Sequence, residues 1–234
     1  MSIVIYWACA DDVWLRSKPP ESVYKNFCKN LKNQKHDLIF CPATKDYMNN
    51  IFSLKSLYKY NFTLGPDETA NTVFTDQYDQ NFFDTHVIVR SRKDRLFSFN
   101  QKLIFFTEEN SLLMSGGLSP FLEDNNITNR CMVIPGTFDI GKWFRILEFA
   151  FYLKNNYNEF KIEEDEIFQY IKFNTDKKII LKQFKVSEEI RKYIIDFDNS
   201  RKFRENKIRN LKNYYSMVRY KKSLINLIKK NLLD

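Results

Sequence analysis

Residues 166–184 read EIFQYIKFNTDKKIILKQF. Two runs rich in Ile, Phe and Tyr flank Asn174-Thr175-Asp176-Lys177, a polar break of turn-forming composition. β-Branched and aromatic residues suit a half-buried pleated surface, and each run is too short for an ordinary helix. The stretch is predicted to be a β-hairpin. The same pattern of short strand and turn recurs from residue 51 onward. Strand-like runs cover residues 51–64, 71–75, 86–90, 96–99, 102–107, 111–115, 130–134, 147–153 and 159–162. Turns are expected at Gly65-Pro66-Asp67, Gly116-Gly117 and Pro135-Gly136. Many short strands without long alternating helices predict a β-rich α+β fold, with an antiparallel sandwich or barrel as its body.

The flanks differ. Residues 3–9 form a short apolar run that reads as a strand. Residues 21–31 carry Val23, Phe27 and Leu31 at helical spacing, with Ser22 as a cap. Residues 37–41 read as a second strand stopped by Pro42, and residues 44–50 as one or two helical turns. From Ser187 the period changes to that of an amphipathic helix, with Ile190, Tyr193, Ile194 and Phe197 on one face. A break is expected near Asp198-Asn199-Ser200. A second helix is predicted over residues 203–232, with Ile208, Leu211, Tyr215, Val218, Ile225, Ile228 and Leu232 near one face. The chain therefore divides into a β-rich body, residues 1–186, and a helical extension, residues 187–234.

A chain of 234 residues with 44% hydrophobic content and 22 phenylalanines can bury a sizeable core without disulfide or metal staples. Five glycines leave little material for phosphate-binding glycine loops. No run approaches the roughly 20 apolar residues of a membrane span. Residues 1–7 lack the basic start of a secretory signal, so a non-secreted protein is expected. Cys9, Cys28, Cys41 and Cys131 contain no C-x-x-C pair, and His36 and His86 are not at ligand spacing from them. Four reduced thiols, no metal site and no cofactor are expected, with Cys9 and Cys41 buried at strand ends.

The formal charge of +8 is unevenly placed. Residues 185–234 hold 14 Lys+Arg and 6 Asp+Glu, while residues 1–184 hold 23 of each. The abundance of Lys, Asn, Ile, Phe and Tyr suits an AT-rich genome, but codon bias would spread lysine evenly. The extension therefore reads as an electrostatic contact, through Lys207, Arg209, Lys212, Arg219, Lys221 and Lys222. Interleaved Tyr214, Tyr215 and Tyr220 could stack or hydrogen-bond. Nucleic acid, a protein partner or self-association, and an anionic membrane surface all fit such a helix; so does a basic face that is merely solvated.

Candidate chemistry is sparse. Residues 135–145, PGTFDIGKWFR, gather two glycines, a tryptophan and the charges of Asp139, Lys142 and Arg145. With Arg90 and Arg92, which share a strand face, Lys142 and Arg145 could hold an anion, while Asp139 or His86 moves protons. The plain alternative is a structural corner, with Trp143 and Phe144 plugging one end of the body and Arg145 paired to Glu148 or Asp139. His86 stands two residues after Asp84, a common chance spacing. The acidic run Glu163-Glu164-Asp165-Glu166 suits a cation or simply a solvated turn. Cys41 could be a thiol activated by Lys45, or a buried strand-end cysteine.

The run Pro135-Gly136, Asp139-Ile140, Lys142-Trp143-Phe144-Arg145, with the strands around residues 147–152 and 167–173, resembles a segment of uncharacterised proteins from tailed phages of marine bacteria. The resemblance covers about a third of the chain. It implies a β-rich body and a viral source, hence a place in the host cytoplasm or the virion, and it assigns no activity to any residue. Two functions are carried forward. One is a non-enzymatic viral accessory or structural protein, in which a β interaction module bears a basic tail that docks on a protein partner or nucleic acid. The other is a small-molecule enzyme with an anion-binding site at the rim of the body.

Overall fold

The computed structural model describes residues 2–10, 17–31, 41–64, 73–74, 85–91, 93–202 and 220–233. Its strands in chain order are β1 (Ser2–Cys9), β2 (Glu21–Ser22), β3 (Ile51–Lys55), β4 (Tyr60–Thr63), β5 (Val73–Phe74), β6 (Val87–Ser91), β7 (Leu96–Phe99), β8 (Leu103–Thr107), β9 (Leu113–Leu118), β10 (Cys131–Val133), β11 (Gly136–Asp139), β12 (Phe149–Leu153), β13 (Glu159–Ile162), β14 (Ile167–Phe173) and β15 (Lys178–Gln183). The helices are α1 (Val23–Leu31), α2 (Pro42–Met48), α3 (Asn126–Arg130), α4 (Glu188–Lys202) and α5 (Lys221–Lys230).

The strands form four open sheets, ordered β15-β1-β8, β10-β12-β7-β6, β11-β9-β14-β3-β2 and β13-β4-β5. Every named pair is antiparallel except β1 with β15. The β-rich body is thus sandwich-like, with no closed barrel among the described residues. Its main core draws on all four sheets, with Trp7, Phe62, Phe97, Phe99, Phe151, Phe160 and Phe168 among the residues at its centre. The rings meet edge-on or offset, as in the Phe97–Phe62 pair at 5.2 Å and 86°.

Alternation along β1 and β8 explains why both read as unbroken apolar runs. Ile3, Ile5, Trp7 and Cys9, with Leu103 and Phe105, face the main core. Tyr6, Ala8, Ala10, Ile104 and Phe106 face a second core, built with Ile190 and Ile194 of α4 and Leu224, Ile225 and Ile228 of α5. A strand covered on both faces has no polar side to show. On the opposite side, Val23 of α1 and Met48 of α2 pack with Ile51 and Tyr170 on the outer face of the β3–β14 pair. The order of layers is helices, sheet, core, sheet, helices.

The opening stretch forms its two strands but not the predicted hairpin. β14 pairs with β3 and β9, whereas β15 pairs in parallel with β1. Asn174-Thr175-Asp176-Lys177 carries the chain from one sheet to another, and Asn50 Nδ2 fixes the crossing by donating to the carbonyls of Thr175 (2.6 Å) and Lys177 (3.0 Å). Turn-forming residues mark a change of direction without specifying the partner strand. The run 51–64 likewise divides into β3 and β4, in different sheets, with Ser56 Oγ donating to the Tyr58 carbonyl at the corner (2.7 Å).

Local signals at the helix starts hold. Ser22 Oγ accepts from the Lys25 N–H (3.4 Å), and Ser187 Oγ from the Ile190 N–H (3.3 Å). Pro42 opens α2, since proline fits the first turn of a helix. Residues 37–40 lie outside the described set. α4 runs through Asp198-Asn199-Ser200 to Lys202, where a break was expected. Burial of Ile190, Ile194 and Phe197 outweighs the weak helix preference of those polar residues. Among the described residues, no helix is long and apolar enough to cross a membrane.

Candidate functional site

The segment singled out in the sequence starts as β11, paired with β9 from Gly136↔Gly116 to Asp139↔Leu113. At its end Asp139 is almost wholly buried. Its carboxylate accepts from Ser111 Oγ (2.7 Å) and from the backbone N–H groups of Leu112 (3.0 Å) and Gly141 (3.1 Å). It also pairs with Lys142 Nζ at 3.0 Å. Burial alone would raise its pKa; the hydrogen bonds from Ser111, Lys142 and the Leu112 N–H win and hold it below the ordinary aspartate value. A carboxylate kept ionised by four donors is built to organise a turn, and it is a poor proton acceptor.

Gly141 packs against the chain at residues 109–110. A Cβ there would lie 2.4 Å from the Glu109 carbonyl oxygen. Trp143 stacks on Phe138 (6.0 Å between centroids) and meets Phe197 of α4 edge-on (5.9 Å), while Phe144 joins the second core against Phe106 (5.1 Å). The two aromatics therefore face different neighbours.

The described cations proposed to hold an anion each face a carboxylate. Arg90 binds Glu148 and also donates through Nε to Ser98 Oγ (3.1 Å). Arg145 is buried, lies over the Trp143 ring (5.1 Å) and reaches both Glu148 (3.6 Å) and Asp198 (3.7 Å). Lys142 pairs with Asp139. Arg92 lies outside the described residues. The structure thus brings Arg90 and Arg145 together, around Glu148. The sequence hinted at only half of this: Glu148 stands three residues after Arg145 but 58 after Arg90. Asp198 arrives from a helix that packs across the segment, and nothing local announces it.

His86 is buried with its ring 4.8 Å from that of Tyr58, edge to face. Its backbone carbonyl accepts from the Asn100 N–H (2.7 Å). Asp84, its supposed partner, is outside the described residues. The acidic run at residues 163–166 is largely occupied: Asp165 binds Lys18, Glu163 pairs with Lys161 (2.9 Å) and Lys59 (3.5 Å), and Glu166 accepts from the Glu163 N–H (2.8 Å). Among the described residues no group of three His, Cys, Asp or Glu side chains could hold a metal.

All four cysteines are free thiols. Cys9 is buried as expected, but Cys41 is half-buried, at the N-cap of α2; the strand predicted before it falls on residues 37–40, outside the described residues. The Thr44 backbone N–H, helped by its hydroxyl and the Ala43 N–H, lowers the Cys41 pKa. The activating groups are those of the helix start, and Lys45 is not among them.

The C-terminal helix lies on the body. Lys221 Nζ donates to the carbonyls of Glu109 and Gly141 and sits over the Phe106 ring (5.5 Å). Desolvation lowers its pKa. At the other end Lys229 pairs with Glu108 (2.8 Å), which also accepts from the Tyr6 hydroxyl. The Lys185 N–H donates to the Asn231 carbonyl and the Leu233 N–H to that of Gln183, both at 2.9 Å. Lys221 therefore fastens the helix to the Asp139–Arg145 segment, whereas Lys222 is exposed. Lys207, Arg209, Lys212 and Arg219 lie outside the described residues. No protein-family model, curated protein or solved structure matches this chain.

Proposed function

We propose that the protein is a non-enzymatic binding protein in which a layered β body serves as scaffold and the basic C-terminal segment engages an acidic macromolecule. The observation that carries this reading is the charge distribution. Residues 203–219 hold five Lys+Arg and one Glu, and residues 1–184 are neutral overall. The phage resemblance belongs to the same reading and suggests an accessory or structural role in the host cytoplasm or virion. Support also comes from the occupations of the other candidates. Asp139 organises a turn, Arg90 and Arg145 are matched by Glu148 and Asp198, and His86 is packed on Tyr58.

Deleting the extension would be an unsound test, because Leu224, Ile225 and Ile228 cover Tyr6, Ile104 and Phe106. Charge removal in the full chain avoids that exposure. The variant carrying Lys207→Gln, Arg209→Gln, Lys212→Gln and Arg219→Gln leaves every apolar residue of α4 and α5 in place. For nucleic acid, titration of a fluorescent oligonucleotide at low ionic strength is expected to show affinity that falls steeply with salt. Each lost phosphate contact reduces the slope of log K against log salt by about 1. An intact chain without oligonucleotide binding would remove nucleic acid. If sedimentation also shows no salt-sensitive self-association or partner complex altered in the quadruple variant, the tail-docking reading falls.

A further inference from the structure

A cleft of about 200 Å³ opens between α1 and the outer face of the β3–β14 pair. Val23, Phe27 and Leu31 of α1, with Ile167 and Leu122, give it apolar walls. Asn26 and Asn30, one helical turn apart, bring amides to it, and Glu123 brings a carboxylate. A tight turn places Glu123: the Phe121 N–H donates to the Ser119 carbonyl and the Glu123 N–H to that of Pro120, both at 2.8 Å. The same turn sets Phe121 edge-on against Tyr170 (5.1 Å) and beside Tyr47 (5.7 Å). Tyr47, Phe121 and Leu122 form an exposed apolar lip.

Glu108, Asp139, Glu148, Glu163 and Asp165 each have a lysine or arginine partner. Among the described residues Glu123 has none. Its one side-chain hydrogen bond is to the Tyr170 hydroxyl, which donates to Oε1 at 3.3 Å. Burial, then the neighbouring Glu123, raises the Tyr170 pKa, so the phenol stays a donor at neutral pH. An anion held by a neutral donor, bounded by apolar and aromatic walls, is complementary to an organic cation: an ammonium for the carboxylate and a hydrocarbon or ring for the walls.

We propose that this cleft is a binding site for a small organic amine, with Glu123 as counter-ion and the Val23–Phe27–Ile167 wall taking its apolar part. The site is separate from the basic extension and does not depend on how the extension functions. The test uses 2-phenylethylamine, with 2-phenylethanol as its uncharged counterpart, titrated into the isotope-labelled full chain and followed by amide shifts. The amine is expected to give saturable shifts at residues 23–31, 121–123 and 167–170, and to bind more tightly than the alcohol. Glu123→Gln retains an acceptor for Tyr170 and should fold normally. It is expected to weaken the amine about tenfold, the scale of one charge-assisted hydrogen bond, and to leave the alcohol unchanged. Absence of saturable shifts, equal affinity in Glu123→Gln, or shifts confined to the acidic surface at residues 163–166 would overturn the proposal.

Discussion

Gly117→Ala destabilises the protein by at least about 3 kcal/mol, the sum expected when a left-handed backbone and a backbone clash coincide. Gly117 has φ +74°, where a side chain is strained. A Cβ there would also lie 2.2 Å from the Ile134 carbonyl oxygen and 2.7 Å from Pro135 Cα. Neither obstacle is a flexible side chain that could swing away. Gly116 next to it provides the control, because its φ is not positive and its Cβ would meet the Phe138 ring at an ordinary 3.5 Å. Chemical denaturation of the two alanine variants should show a large loss for Gly117→Ala and a much smaller one for Gly116→Ala. Equal losses would mean that the strand at Gly117 relaxes without difficulty.

The same dipeptide shows what the sequence does and does not disclose. Gly116-Gly117 reads as a turn, yet β9 runs through it to Leu118, and the pairing with β14 shifts register between Tyr170 and Lys172. Glycine signals an unusual backbone, and a bulge inside a strand satisfies that signal as well as a turn does. Strand content was legible because composition and alternation are local properties. Sheet membership was not, since β14 and β15 differ in their partners rather than their residues. In the candidate site, proximity in sequence revealed Asp139 with Lys142 and Arg145 with Glu148. The contributions of Ser111, Asp198 and Lys221 come from 28 to 80 residues away. The uneven charge was plain, but the docking of α5 on the second core required the even face of β1, which a doubly apolar strand conceals.

Asp139→Ala tests whether the most catalytic-looking carboxylate is structural. The substitution leaves the N–H groups of Leu112 and Gly141 without their buried acceptor, at about 1–3 kcal/mol for each unsatisfied group. Lys142 is partly exposed, so the broken ion pair adds little. A loss of about 2–4 kcal/mol is expected. Asp139→Asn keeps an acceptor of the same shape and should lose less. The pH dependence has a definite sign. The folded-state pKa lies below the ordinary value of 3.8, so the ionised group stabilises the fold fully above that value. The contribution fades as pH falls from there through the lower folded-state value. The stability gap between wild type and Asp139→Asn should therefore be constant near neutrality and narrow in acid below 3.8. Urea titrations across that range read it directly. A gap that widened in acid would mean Asp139 is protonated more readily in the fold than outside it. That result would restore it as a candidate proton donor and undo its assignment as the anchor of the Leu112–Gly141 turn.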